Sequence, residues 1–178
     1  MNLVKTLLLL VIMTALVSFF YPNSSNYFID ERDGEKYALV ELNGLFWFKE
    51  NLRYRSASHK DTLISEGKCG VFYLFEDAKH ACSEGWRLPS EDEVKSLIKA
   101  DKRGKMTLID TLSIELCGRI DYEKHAKPGL QNTFWLNEEL HEEQVDHWHT
   151  FSNENKIHSH NVIQARRKFP VRCVCEVD

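Results

Sequence analysis

Ala81-Cys82-Ser83-Glu84-Gly85-Trp86-Arg87-Leu88-Pro89-Ser90-Glu91-Asp92-Glu93-Val94 is the stretch on which the fold turns. Gly85 and Pro89 break the chain on either side of Trp86-Arg87-Leu88. Ser90 opens a helix: its hydroxyl can cap a free backbone N–H, and Glu93, three residues on, is placed to reach back and complete a capping box. Val94, Leu97 and Ile98 then supply the i, i+3, i+4 apolar stripe that packs this helix inward. On the other side of the break, Phe75 to Cys82 (FEDAKHAC) predicts a second, short helix.

Working outward, strand signals surround this centre. Asn43-Gly44 stands between Tyr37–Leu42 and Leu45–Phe48, and Asn-Gly between β-rich runs predicts a tight hairpin because both residues tolerate positive φ. Arg53 to Lys68 is mostly polar and reads as a long loop, and Lys102 to Lys105 (KRGK) as a basic turn. Thr133–Leu136, Val145–Phe151 and Phe169–Val177 are short β-like runs. Two short helices with several strands and long loops predict an α+β domain with an antiparallel sheet. Continuous βαβ alternation is missing, which argues against a doubly wound nucleotide-binding fold. The chain has 178 residues, enough for one domain of ordinary size. Hydrophobic content of 43% and charged content of 28% exclude global disorder. The net charge of −4 argues against a nucleic-acid partner, which needs a basic face.

Residues 1–26 read as an export signal or signal anchor with a linker, and residues 27–178 as the folded domain. Lys5 precedes Leu7 to Tyr21 (LLLLVIMTALVSFFY), an uncharged and mostly apolar run. That run is about 22 Å long as a helix, short for a hydrocarbon core of about 30 Å. A cleaved signal is therefore favoured, with an uncleaved anchor as the rival that would attach the chain to a membrane. The run holds no Cys, so a lipid-modified signal-end Cys is unavailable. Pro22 to Asn26 is a polar linker, in which Asn23-Ser24-Ser25 matches a glycosylation acceptor. The expected location is outside the cytoplasm: cell surface, periplasm or secreted.

Three stretches together resemble one family. They are Asp33-Gly34-Glu35-Lys36-Tyr37 with Asn43-Gly44, Trp47 and Glu50-Asn51-Leu52; Ala81-Cys82 with Glu84-Gly85-Trp86-Arg87-Leu88-Pro89-Ser90; and Val171-Arg172-Cys173-Val174. Gly118-Arg119 with Asp121, and Phe134-Trp135, fall in the same order. This order resembles the Fibrobacter succinogenes major paralogous domain, a family of exported bacterial surface proteins, over roughly Asp30 to Glu176. The chain departs from it at Leu136-Asn137, where the family commonly has small hydroxyl residues before a Glu. The resemblance implies a C-type lectin-like fold: two short helices on a twisted antiparallel sheet, with the N- and C-terminal strands adjacent. It also implies a disulfide between Cys82 and Cys173. Cys69, Cys117 and Cys175 are left over, and the sequence does not choose a second pair among them. Cys173 and Cys175, two apart on one strand, share a face and are not expected to bond to each other.

The strongest hint of site chemistry is a histidine-rich segment. His141, His147, His149, His158 and His160 fall within 20 residues, beside Glu138, Glu139, Glu142, Glu143 and Asp146. On a strand His147 and His149 would share a face, and His158 and His160 repeat the spacing. Two such pairs on neighbouring strands would suit Zn²⁺ or Cu²⁺; the alternative is a solvated polar face in variable loops. Trp47, Trp86 and Trp135 are expected in the core, whereas Trp148 is the candidate exposed aromatic for stacking on a ligand beside His147 and His149. Arg87 is expected to pair with a buried carboxylate in a structural role. Lys102 to Lys105 and Arg166-Arg167-Lys168 are expected as solvated basic loops.

Several chemistries lack their residues. Calcium-dependent sugar binding typically uses Glu-Pro-Asn and Trp-Asn-Asp, and neither occurs. Gly-x-Ser-x-Gly, phosphate-loop and His-Glu-x-x-His motifs are absent too. No cofactor and no catalytic residue is expected. The leading expectation is a non-catalytic exported domain that presents loops to an envelope protein or a glycan, without nucleic acid. The rivals are a purely structural envelope subunit and a copper/thiol oxidase related to the formylglycine-generating enzymes, which work through a reactive Cys pair.

Overall fold

The computed structural model of the protein describes residues 26–55, 63–64, 67–102, 108–141, 144–151, 157–163 and 167–177. The expected signal segment lies outside the described residues, as does most of the loop at 53–68; of the basic turn expected over 102–105, Lys102 instead ends a helix and the rest lies outside the described residues. In chain order the strands are β1 (Tyr27–Ile29), β2 (Lys36–Leu42), β3 (Leu45–Phe48), β4 (Leu63–Ile64) and β5 (Val71–Phe72), followed by helices α1 (Phe75–Ala78), α2 (Glu91–Lys102) and α3 (Leu108–Thr111). Then come β6 (Arg119–Asp121), β7 (Lys124–Ala126), β8 (Gln131–His141), β9 (Gln144–Phe151), β10 (Ile157–Ile163), β11 (Arg167–Lys168) and β12 (Val174–Glu176). The described strands form four small sheets, ordered β1-β2-β3-β12, β10-β9-β8, β11-β6-β7 and β4-β5, and every strand pair is antiparallel. The architecture is α+β.

Local chemistry explains most of these elements. Asn43 and Gly44 both have positive φ, 54° and 79°, and connect β2 to β3 in the two-residue turn whose twist matches that of the strands. At the start of α2 the Ser90 N–H donates to Glu93 Oε2 at 2.7 Å and the Glu93 N–H donates to Ser90 Oγ at 3.3 Å, the reciprocal bonds of a capping box. Val94 and Leu97 are fully buried, and Ile98 packs beside them. The helix expected over 75–82 is shorter: α1 ends at Ala78, and the chain then tightens into i→i−3 bonds from His80 to Asp77 and from Ala81 to Ala78. A third helix, α3, closes with Ser113 in the left-handed region at φ 48°. The Ser113 N–H bonds to Asp110 O and the Ile114 N–H to Ile109 O, a paired pattern that stops a helix.

Alternation along two strands builds a core on both sides of them. On β3, Phe48 joins Tyr37, Tyr73, Trp135 and Phe169 in one cluster, while Leu45 and Trp47 join Val94, Leu97 and Phe134 in another. On β8, Trp135 faces the first cluster and its neighbours Phe134 and Leu136 the second. Such strands carry near-continuous apolar runs because both faces are buried, as Leu45–Phe48 and Phe134–Leu136 show. Trp47 and Trp135 are core residues, and the Trp135 indole N–H donates to Tyr73 O at 2.7 Å. Trp86 is only partly buried, packed on the rings of Phe28 and Phe48.

The C-terminal segment differs from the expected continuous strand over 169–177. Only Val174–Glu176 forms a ladder, and its partner is β3. Before it, the chain is held by separate bonds that link Phe169 to Tyr73, Val171 to Leu52 and Cys173 to Phe48. The terminal strands therefore share a sheet without being neighbours, with β1 and β12 at its opposite edges.

Two disulfides cross this framework. Cys82 is bonded to Cys173, the pairing that the resemblance implies, and ties the end of the α1 turn to the segment entering β12. Cys69 is bonded to Cys117, a pair that the sequence left open. Cys175, half-buried on β12, carries no disulfide.

Candidate functional site

The candidate site is the β8–β9–β10 sheet, the longest set of strands among the described residues. β9 and β10 pair without a register shift over seven positions. In that register His147 is directly opposite His160, and His149 directly opposite His158. Directly opposed residues share a face, and so do alternate residues on one strand. The four histidines expected as metal ligands therefore occupy one face of one hairpin. Slipping β10 by one residue would move both its histidines to the other face, and slipping it by two would leave at most one opposed pair.

On the β8 side the same face carries Trp135 opposite His147, Thr133 opposite His149 and Gln131 opposite Phe151. Trp135, Thr133 and Gln131 are all buried, and Gln131 Nε2 donates to Thr133 Oγ1 at 3.1 Å. His147 is itself buried, 9% exposed, with its ring centroid 5.5 Å from that of Phe169. Phe169 in turn packs on Trp135 at 4.2 Å. His147 is thus fixed at the edge of the first core cluster, which differs from a solvated polar face at that position.

Trp148 belongs to the other face, opposite Phe134, whose ring lies in the second core cluster beside α2. The register thus separates Trp148 from His147 and His149, with which it was expected to make one ligand surface. The exposure expected of the Trp148 ring lies outside the described side chains. Among the acidic residues of the segment, Asp146 pairs with Asn161 and so shares the Trp148 face. Residues 142 and 143 lie outside the described residues.

Charged groups elsewhere are tied into structure. Arg87 pairs with Glu93 at 2.7 Å and Glu176 at 2.6 Å, joining the α2 cap to β12. Burial pushes the Glu93 carboxyl up, but the Arg87 and Ser90 hydrogen bonds outweigh it and hold the group below its ordinary value. Arg119 closes on Asp121 at 2.8 Å, and Arg167 approaches the same carboxylate at 3.8 Å. Lys168, expected in a solvated basic loop, is 4% exposed and reaches Glu123 at 3.0 Å. The correction has a local cause: Lys168 pairs with Ile120 on β11–β6, and Ile120 is in the core. A cleft of about 240 Å³ lies between the β2–β3 hairpin and α2, with Leu42, Leu45, Trp47 and Leu97 in its wall and Asn43 bonded across to Ser96.

Sequence reasoning missed a deeply buried charge. Arg172 is fully buried and donates to Asn51 Oδ1 at 3.1 Å, Phe48 O at 3.3 Å, Ser113 O at 3.3 Å and Leu112 O. The last two are carbonyls at the C-terminal end of α3, where a cation is favoured. Burial lowers the Arg172 pKa to about 9, against the opposing pull of Glu50 and Glu115. It remains a cation at neutral pH, over the ring of Phe134 at 5.2 Å. The signal was the Arg in Val171-Arg172-Cys173-Val174, where apolar neighbours already implied burial.

Comparison with family models, with curated proteins and with solved structures finds no match to this chain. The described residues contain no helix long and apolar enough to cross a membrane.

Proposed function

We propose that the protein is a non-catalytic, exported cell-envelope domain that binds another protein or a glycan. The observation that carries this reading is the pair of disulfides, Cys69–Cys117 and Cys82–Cys173. Disulfides persist in oxidising compartments, which fits an export signal in residues 1–26. They fasten a small two-sided core from which the β6–β7 turn and the β8–β10 strands extend as recognition elements, the division of labour common in binding domains. Tyr122, 60% exposed in that turn, adds apolar contact surface. The motif order supports assignment to the Fibrobacter succinogenes major paralogous domain family and to a C-type lectin-like fold.

The oxidase reading is weaker, because four of the five cysteines are in disulfides and no reactive Cys pair is left over. The test combines a glycan array with pull-down from envelope extract, using the full chain. Saturable binding to one glycan class or one envelope protein is the expected result. Failure of both, with the chain recovered inside a stable envelope assembly, would favour the structural-subunit reading. Copper-dependent oxygen uptake with thiol peptides would favour the oxidase.

A further inference from the structure

We propose that His147, His149, His158 and His160 form a binding site for a late first-row divalent cation, Zn²⁺ or Cu²⁺, on one face of the β9–β10 hairpin. Three observations carry this beyond the binding-module reading. The first is register. The pairs His147/His160 and His149/His158 are directly opposed, so two rungs of one ladder, two residues apart, are both made of histidine. Directly opposed Cβ atoms are about 4.5–5.5 Å apart, and alternate residues on one strand about 7 Å. The four positions thus mark a rectangle of about 5 by 7 Å on one face, within the span of the ligand set of one four-coordinate ion.

The second is order at the site. His147 is buried against Phe169, so one donor is already restrained before an ion arrives. Beside it on the same face, Thr133 and Gln131 form a buried polar pair in register with His149 and Phe151. Groups of that kind orient metal-bound imidazoles through their second ring nitrogen.

The third is the donor set. Four imidazoles without a carboxylate on the same rungs suit Zn²⁺ and Cu²⁺ and disfavour Mg²⁺ and Ca²⁺, which take oxygen ligands. The rung carrying Asp146 belongs to the opposite face.

The test uses the full chain without a histidine tag, stripped with EDTA and titrated with ZnCl₂, CuCl₂, MgCl₂ and CaCl₂. One Zn²⁺ or Cu²⁺ per chain is expected, with a rise in the thermal midpoint that Mg²⁺ and Ca²⁺ do not produce. The Cu²⁺ electron paramagnetic resonance spectrum is expected to show coupling to at least three nitrogens. His158→Gln combined with His160→Gln, both on the edge strand β10, is expected to weaken binding by at least about tenfold. His59→Gln combined with His80→Gln is expected to leave it unchanged. Binding weaker than about 100 μM to the folded wild-type chain overturns the proposal, as does equal binding by the β10 variant. The nitrogen count decides the matter on the wild-type chain if the β10 variant does not fold: fewer than three coupled nitrogens overturns the proposal.

Discussion

Two charged residues show how differently burial is met at the residue scale. Arg172 has no carboxylate among its hydrogen-bond acceptors and is satisfied by carbonyl oxygens from two separate segments, residues 48–51 and 112–113. Removing it would leave those oxygens buried and unpaired, each at a penalty of about 1–3 kcal/mol unless water enters. Arg172→Met is therefore expected to lower stability by about 3–5 kcal/mol, read from the denaturant midpoint. Arg172→Lys should recover less than half of that loss, because an ammonium cannot span the same acceptors. Asp30 is the opposite case, an acid paired in place. Its side chain is buried and bonds to the guanidinium of Arg32 at 2.6 and 2.8 Å, and Arg32 continues to the carbonyls of Ala81 and Cys82. Burial pushes the Asp30 carboxyl up, but the side-chain and backbone bonds from Arg32 outweigh it and leave the pKa below 3.8. The unfolded chain then binds the proton more readily, so the stabilisation is complete above about pH 4 and is lost as pH falls through the lower folded value. Asp30→Asn should lose about 1–3 kcal/mol at pH 7 and show a shallower decline than wild type between about pH 4 and pH 2, followed by unfolding at fixed denaturant.

At the scale of elements, two glycines separate strain from collision. Gly44 in the β2–β3 turn has φ 79° with nothing within 4 Å of an added Cβ, so Gly44→Ala should cost only the left-handed penalty, about 1–2 kcal/mol. Gly118, before β6, has φ 71°, and a Cβ there would stand 2.3 Å from the carbonyl oxygen of Ala126 on β7. Gly118→Ala should cost at least about 2 kcal/mol more than Gly44→Ala, because backbone must move. Paired urea titrations of the two variants would measure the difference. The same contrast explains what was legible in the sequence. The β2–β3 hairpin and the α2 cap could be read because Asn43-Gly44 and Ser90…Glu93 carry their geometry within a few residues. β10 could not: Ile157–Ile163 alternates histidine with polar residues and becomes a strand through its pairing with β9. α1 was overextended because FEDAKHAC has helical composition, whereas a disulfide and two carbonyls held by Arg32 fix its last residues in a tighter turn. The histidine spacing was likewise visible, but the opposition of 147 to 160 and 149 to 158 depends on a strand register that spacing does not encode.

At the scale of the molecule, stability rests on two long covalent loops. Cys82–Cys173 closes 91 residues and Cys69–Cys117 closes 48. Loop-closure entropy assigns them about 4–5 kcal/mol each when taken singly. Domains of this kind have a total stability of only about 5–15 kcal/mol, so loss of both bonds is expected to leave the chain largely unfolded at 37 °C. The double variants Cys82→Ser/Cys173→Ser and Cys69→Ser/Cys117→Ser, compared by thermal unfolding, should each fall well below wild type, the first further than the second. Non-reducing peptide mapping should recover the same two linkages from wild-type protein.

The two linkages also interleave along the chain: 69 joins 117 across 82, and 82 joins 173 across 117. A polypeptide emerging N-terminus first exposes the thiols of 69 and 82 before either native partner. Their separation of 13 residues closes roughly sevenfold more readily than the native span of 48. Oxidation in that order favours the non-native crosslink first. Reaching the two native linkages from that crosslink takes thiol–disulfide exchange, so refolding of the reduced chain is expected to be faster with a thiol–disulfide isomerase than with an oxidant alone, as followed by non-reducing peptide mapping over time.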